Sequence, residues 1–137
     1  MPTHGTRDLR QRVFEFACSV VLFSRDLSRD SGVVRHIAWQ LAAAATSAGA
    51  NLEEAKSAYS RRDFASKNAI ATKEMRETLF WLRVIRACRL ASEEAVQPLL
   101  QEADELTAML TAGMKRLHPI VTAILTILGV ALFSQRF

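Results

Sequence analysis

The 137-residue chain is predicted to fold as an all-α, antiparallel up-down-up-down four-helix bundle with an extra apolar C-terminal segment. Three observations carry that prediction. Half of the residues are apolar, alanine and leucine dominate, and only 5 Gly and 3 Pro are present, so elements are long and turns are few. Apolar residues recur at spacings of three and four through four separate stretches. The breaks between these stretches are short and carry cap and turn residues.

The first stretch, Arg7 to Ser28, places Leu9, Val13, Phe16, Val20, Phe23 and Leu27 on one heptad seam, with Thr6 as its candidate cap. Asp30, Ser31 and Gly32 end it. A second helix is predicted from Val33 to Ser57, with Val34, Ile37, Leu41, Ala44, Ala48 and Leu52 facing inward. Its middle, Ala42 to Ala50, is almost all small residues, so a neighbouring helix can approach closely there. Gly49 costs about 1 kcal/mol relative to alanine in a helix interior.

The third helix is predicted from a Ser60 N-cap to Arg89. Asp63 stands where a carboxylate can reach back to the N–H of the cap, and Tyr59 and Phe64 are spaced for a hydrophobic staple. Phe64, Ala71, Met75, Leu79, Leu82 and Ile85 form its stripe. In the fourth helix Ser92 is the candidate cap, and Glu93 and Glu94 suit the positive end of the helix dipole. Val96, Leu99, Ala103, Leu106, Leu110, Gly113 and Leu117 form its seam. Pro98 removes an N–H and is expected to leave an irregular or kinked first turn. His118 and Pro119 are read as a break. The chain is therefore divided into a bundle over 1–117 and a tail over 118–137.

Ile120 to Phe133 contains no charged residue. As a helix it spans about 21 Å, short of the roughly 30 Å hydrocarbon core of a bilayer. Burial against the bundle or a second copy of the chain is therefore expected in preference to a membrane anchor. Leu125, Leu128 and Leu132, with Ile124 beside them, give this segment one apolar face.

Chemistry-bearing constellations are scarce. A di-iron bundle needs Glu-x-x-His on two helices, and none of His4, His36 and His118 has Glu three positions before it. Glu53, Glu54, Glu74 and Glu77 are interleaved with Lys56, Lys73 and Arg76, as in salt-bridged surfaces. Cys18 and Cys88 lie in apolar stretches without metal spacing and are expected to be buried free thiols of a reducing cytoplasm. No Gly-rich phosphate loop is present, and the reading is of a protein that is not an enzyme and carries no cofactor. The N-terminal residues lack the apolar core of a secretory signal.

Charge is more suggestive. The 18 Lys+Arg against 14 Asp+Glu give a formal net charge of +4. In the up-down arrangement, one end gathers Arg7, Arg10, Arg12, Lys56, Arg61, Arg62, Lys67, Lys115 and Arg116, against Asp8, Glu53, Glu54 and Asp63. Such an excess attracts phosphates through counterion release without reading sequence. The bland alternative is an ordinary solvated polar end. Tyr59 in the same turn could stack on a base, although the staple is the expected role.

The segments Asn51-Leu52-Glu53-Glu54-Ala55, Ser60-Arg61-Arg62-Asp63-Phe64, Lys73-Glu74-Met75-Arg76-Glu77-Thr78 and Trp81-Leu82-Arg83 resemble the bacterial four-helix-bundle family named after the 23S rRNA intervening-sequence protein. The resemblance spans about residues 7 to 117 and is densest in the middle two helices. It departs at Ala55, where the family commonly has Gly, and in the apolar tail. The resemblance implies a cytosolic bundle that often assembles as a homopentameric ring, with some relatives encoded inside spacers of ribosomal RNA genes. Similar small bundles are accessory proteins of reverse transcriptases in diversity-generating retroelements, and no catalytic residues are assigned in the family. Two functional readings follow. One is a self-associating module that binds RNA or a ribonucleoprotein through the basic end. The other is a protein-binding scaffold or reverse-transcriptase accessory subunit without sequence-specific nucleic-acid contact.

Overall fold

The computed structural model describes residues 8–134, and after Leu117 it describes side-chain exposure only at Pro119 and Ile127. Four helices follow in chain order: α1 (Leu9–Leu27), α2 (Val33–Lys56), α3 (Arg61–Ala87) and α4 (Glu93–Ser134). No strand occurs among the described residues. α2 packs between α1 and α3, α3 packs on α4, and a thinner α1–α4 seam closes the bundle. Arg10 near the start of α1 lies 3.9 Å from Glu53 near the end of α2. Lys67 near the start of α3 reaches Glu54, and Arg86 at the end of α3 meets Glu93 at the start of α4 at 2.7 Å. These pairs bring the end of α2 to the starts of α1 and α3, and the end of α3 to the start of α4.

The predicted seams build the core. Val13, Phe16, Val20 and Leu27 of α1 meet Leu41, Ala48 and Leu52 of α2, Met75, Leu82 and Ile85 of α3, and Val96, Leu106 and Leu110 of α4. Leu9, Phe23, Val34, Ile37, Leu79 and Leu99 are half-buried at its edge. Full burial of a Leu or Ile side chain stabilises by roughly 1.5–3 kcal/mol. α2 buries Ala38, Ala44, Ala45, Ala48 and Ala55, so the helix axes on either side can come close. The buried hydroxyls of Thr72 and Thr78 donate to the carbonyls of Asn68 and Glu74 in their own helix, which removes most of their desolvation penalty.

The helix starts and stops differ from expectation in instructive ways. Asp8 caps α1, its Oδ1 accepting from the Arg10 N–H at 3.1 Å. The expected cap, Thr6, lies outside the described residues. Ser60 caps α3, its Oγ accepting from the Asp63 N–H at 3.0 Å. The Asp63 carboxylate, however, accepts from the Tyr59 N–H at 3.3 Å, one residue before the expected donor. Tyr59 is 100% exposed, so no staple forms. The extended backbone at Ser60 (φ −151°, ψ 164°) carries the chain away from the helix before Tyr59, which leaves the ring in water.

α3 ends in a Schellman arrangement. The Leu90 N–H donates to the Ile85 carbonyl at 3.0 Å and the Arg89 N–H to the Arg86 carbonyl at 3.1 Å. Arg89 holds the left-handed position (φ 53°) that usually favours glycine, while Leu90 packs at the core edge.

α4 is helical through both Pro98 and Pro119, which corrects the expected break at His118 and Pro119. Each proline leaves one carbonyl four residues earlier without its helical donor. Those carbonyls belong to Glu94 and Lys115, both exposed, so water can take the missing bond. Position 118 is therefore not a break in secondary structure. At 42 residues α4 is about 63 Å long, against about 40 Å for the 27 residues of α3. The expected burial of Ile124, Leu125, Leu128 and Leu132 concerns side chains outside the described residues. Cys18 and Cys88 are exposed, contrary to expectation, because Cys18 falls off the core seam of α1 and Cys88 sits at the end of α3.

Ser60→Ala should destabilise the bundle by roughly 0.5–2 kcal/mol, because the Asp63 N–H loses its acceptor. Urea denaturation of the two proteins reads this, and an unchanged midpoint would contradict the cap. Arg89→Gly should act in the opposite direction. Relief of the left-handed strain, offset by glycine's chain entropy, leaves a gain of roughly 0.5–1 kcal/mol. A lower midpoint in the glycine variant would show that the Arg89 side chain contributes more than the backbone strain costs.

Candidate nucleic-acid interface

The turn between α2 and α3 is where three of the expected cations gather on the surface. Lys56 is the last residue of α2, and Arg61 and Arg62 are the first two of α3, and all three are exposed. None forms an ion pair among the described residues. The fully exposed ring of Tyr59 stands between them in sequence. Lys115 and Arg116 on α4 are also exposed and form no ion pair among the described residues. They are not at the end of a helix, however, because α4 continues to Ser134.

The remaining predicted cations are fastened to the scaffold. Arg10 bonds the Asp8 carboxylate, whose pKa is held below the usual carboxylate value chiefly by that bond. Arg12 Nε lies 2.6 Å from Glu102 Oε1 and its Nη2 2.6 Å from Glu105 Oε2. These bonds, from Glu102 first, push the Arg12 guanidinium further up from an already high value. Lys67 is likewise held up by Glu54. A phosphate approaching any of these must compete with a carboxylate already in place. Arg7 lies outside the described residues. Among the described residues the expected positives thus narrow to five outside ion pairs, and the opposing acids exceed the four expected, since Glu102 and Glu105 reach across from α4.

Two features escaped the reading of the sequence. At the α3–α4 corner, Arg83, Arg86 and Arg89 share an open cavity of about 1070 Å³ with Glu93 and Asp104. Positive charge is therefore not confined to one end of the bundle, but here it is mixed with acid. The second feature is an apolar flank formed by α1 and α2, where Phe14, Leu22 and Trp39 are 54%, 53% and 72% exposed. Its signal was present, since Phe14, Cys18 and Val21 repeat at four and three beside the core seam. Among the described residues no three His, Cys, Asp or Glu side chains are grouped to hold a metal ion, and no helix is long and apolar enough to cross a membrane.

These surfaces define a four-helix-bundle protein that presents a basic turn and an apolar flank. The chain belongs to the 23S rRNA-intervening sequence protein family, whose model matches residues 7–112. It is similar to a crystal structure of a protein with unknown function from the S23 ribosomal protein family of Bacteroides thetaiotaomicron VPI-5482, at 29% identity and a TM-score of 0.71. That similarity covers 98% of the Bacteroides chain and 78% of this one. No curated protein matches the chain.

The α1–α4 seam gives a prediction with a definite sign. Hydrogen bonds from Arg12, then Gln101, hold the Glu105 pKa below its ordinary value. A lowered folded-state pKa contributes stability that is present above the unfolded carboxylate pKa, about 4.3, and is lost as pH falls through the folded value. Urea midpoints should therefore fall on acidification below about pH 4.3, and Arg12→Met should reduce that fall. Identical acid sensitivity in wild type and variant would contradict the role given to Arg12.

Proposed function

We propose that this protein is a non-enzymatic, cytoplasmic, self-associating helical bundle whose basic α2–α3 turn binds RNA or a ribonucleoprotein. The observation that carries this reading is the coincidence of exposed Lys56, Arg61 and Arg62, none in an ion pair among the described residues, with a fully exposed Tyr59 in a single turn. Unpaired guanidinium and ammonium groups neutralise phosphates by charge, and an exposed ring offers a stacking platform for an unpaired base. Lys115 and Arg116 supply further cations from α4. Such a surface follows the nucleic-acid backbone and reads shape and charge in preference to sequence. Self-association, with a pentamer as the expected assembly, rests on the family resemblance and would multiply weak contacts by bringing several such turns to one RNA.

The apolar flank of α1 and α2 favours a second reading, a protein-binding scaffold or reverse-transcriptase accessory subunit without sequence-specific nucleic-acid contact. Salt separates the two, because phosphate neutralisation weakens steeply with salt and an apolar interface does not. The double variant Arg61→Ala, Arg62→Ala should weaken binding of unrelated RNA sequences about equally and flatten the dependence of affinity on salt. Fluorescence anisotropy at two salt concentrations measures both effects. Wild-type protein that leaves RNA free even at low salt would exclude the RNA reading and leave the scaffold.

A further inference from the structure

α1 carries two apolar stripes, and only one is used by its own core. The other comprises Phe14, Cys18, Val21 and Leu22, all exposed on the outside of the bundle. Beside it, α2 offers Thr46, Gly49 and Ala50. Together they form a groove of about 520 Å³ in which Glu53 is the one charged lining residue among the described residues. Thr46 and Ala50 also line a second hollow, which extends the surface along α2 to Trp39. From Trp39 to Glu53 the surface follows α2 for about 21 Å. Its floor is made of small side chains, so a helix lying in it can approach closely, while Phe14, Leu22 and Trp39 supply apolar walls.

The same chain carries a helix of matching length and chemistry. Ile120 to Phe133 is uncharged and extends about 21 Å. It lies beyond residue 112, where the family match ends. It also belongs to α4, which exceeds α3 by about 22 Å. Because α4 runs unbroken to Ser134, this segment cannot turn back onto the flank of its own α1 and α2. A second copy of the chain would bring the extension and the groove together.

We propose that the C-terminal extension of α4, residues 120–133, docks in the groove between α1 and α2 of a neighbouring copy. The proposal rests on the self-association reading and assigns the two surfaces that make it. An uncharged helix meets an almost uncharged groove, and both are removed from water in one step. The contact is heterologous, since one copy gives its extension and receives another in its groove. Successive copies therefore close into a ring when the rotation permits, and otherwise continue as a filament.

The exposed thiol of Cys18 lies in the groove and serves as a native reporter. Full-length chains carrying Cys88→Ser and one of Leu125→Cys, Leu128→Cys or Leu132→Cys would be oxidised gently and run on non-reducing gels. At least one of the three should give a ladder of disulfide-linked chains, and adding Cys18→Ser should abolish it. Ala50→Glu, on the exposed face of α2, should leave the circular-dichroism melting curve in place and suppress the ladder. Sedimentation velocity on the unmodified chain separates the two levels of the claim. Assemblies in which none of the three positions links to Cys18 would overturn the seat and leave self-association standing. A chain that sediments as a monomer would overturn both. Partition of the full-length chain into phosphatidylcholine vesicles, with no ladder, would show that lipid covers the extension instead.

Discussion

The close packing of α2 between α1 and α3 is the constraint on which the rest of the structure depends. Its inner face is built from Ala38, Ala44, Ala45, Ala48 and Ala55, interrupted only by Leu41 and Leu52. Alanine brings little apolar area of its own, but it lets two neighbours approach and fill the space with Val13, Val20 and Met75. The outer face is small as well, with Ala43, Thr46 and Ala50 exposed. The larger outward residues of α1 therefore stand above α2, and the groove follows from the same choice of residues that makes the core tight.

The α1–α4 seam closes the bundle differently. Its contact is thin, and a guanidinium at Arg12 spans it to two carboxylates one turn apart on α4. Arg12 is held by its hydrogen bonds and packs its stem at the seam, so its charge serves the fold first. The same logic applies to Lys67 and Arg10, which bind α3 and α1 to Glu54 and Glu53 at the end of α2. What remains outside the ion pairs of the described residues, at Lys56, Arg61 and Arg62, is concentrated in the turn between α2 and α3. The basic turn is thus the remainder left after the helices have neutralised one another.

Local signals were the most legible in the sequence. The four seams emerged because buried apolar residues repeat with the helical period whatever their partners, and the Ser60 cap because it needs only a hydroxyl and an N–H three residues on. Features set by the relation between helices were not legible. The capture of Arg12 by Glu102 and Glu105 depends on the register of α1 against α4, separated by about ninety residues of chain. An apolar stretch predicts a buried Cys18, yet the residue belongs to the second stripe of α1 and faces out. Proline forbids one helical bond and so predicts a break at Pro119, while an exposed helix can lose that bond to water and continue.

The central physical claim is that the alanine face of α2 sets the spacing of its neighbours. Ala45, which is 0% exposed, tests it most directly when enlarged to leucine in the full chain, with Ala43→Leu on the exposed face as the control. Urea denaturation should show a loss of about 1–3 kcal/mol for Ala45→Leu, since a well-packed seam has no room for three more carbons. The Ala43 variant should stay within about 0.5 kcal/mol of wild type. An Ala45→Leu protein as stable as wild type, or more stable, would mean that α2 is loosely held and that its small residues do not determine the architecture.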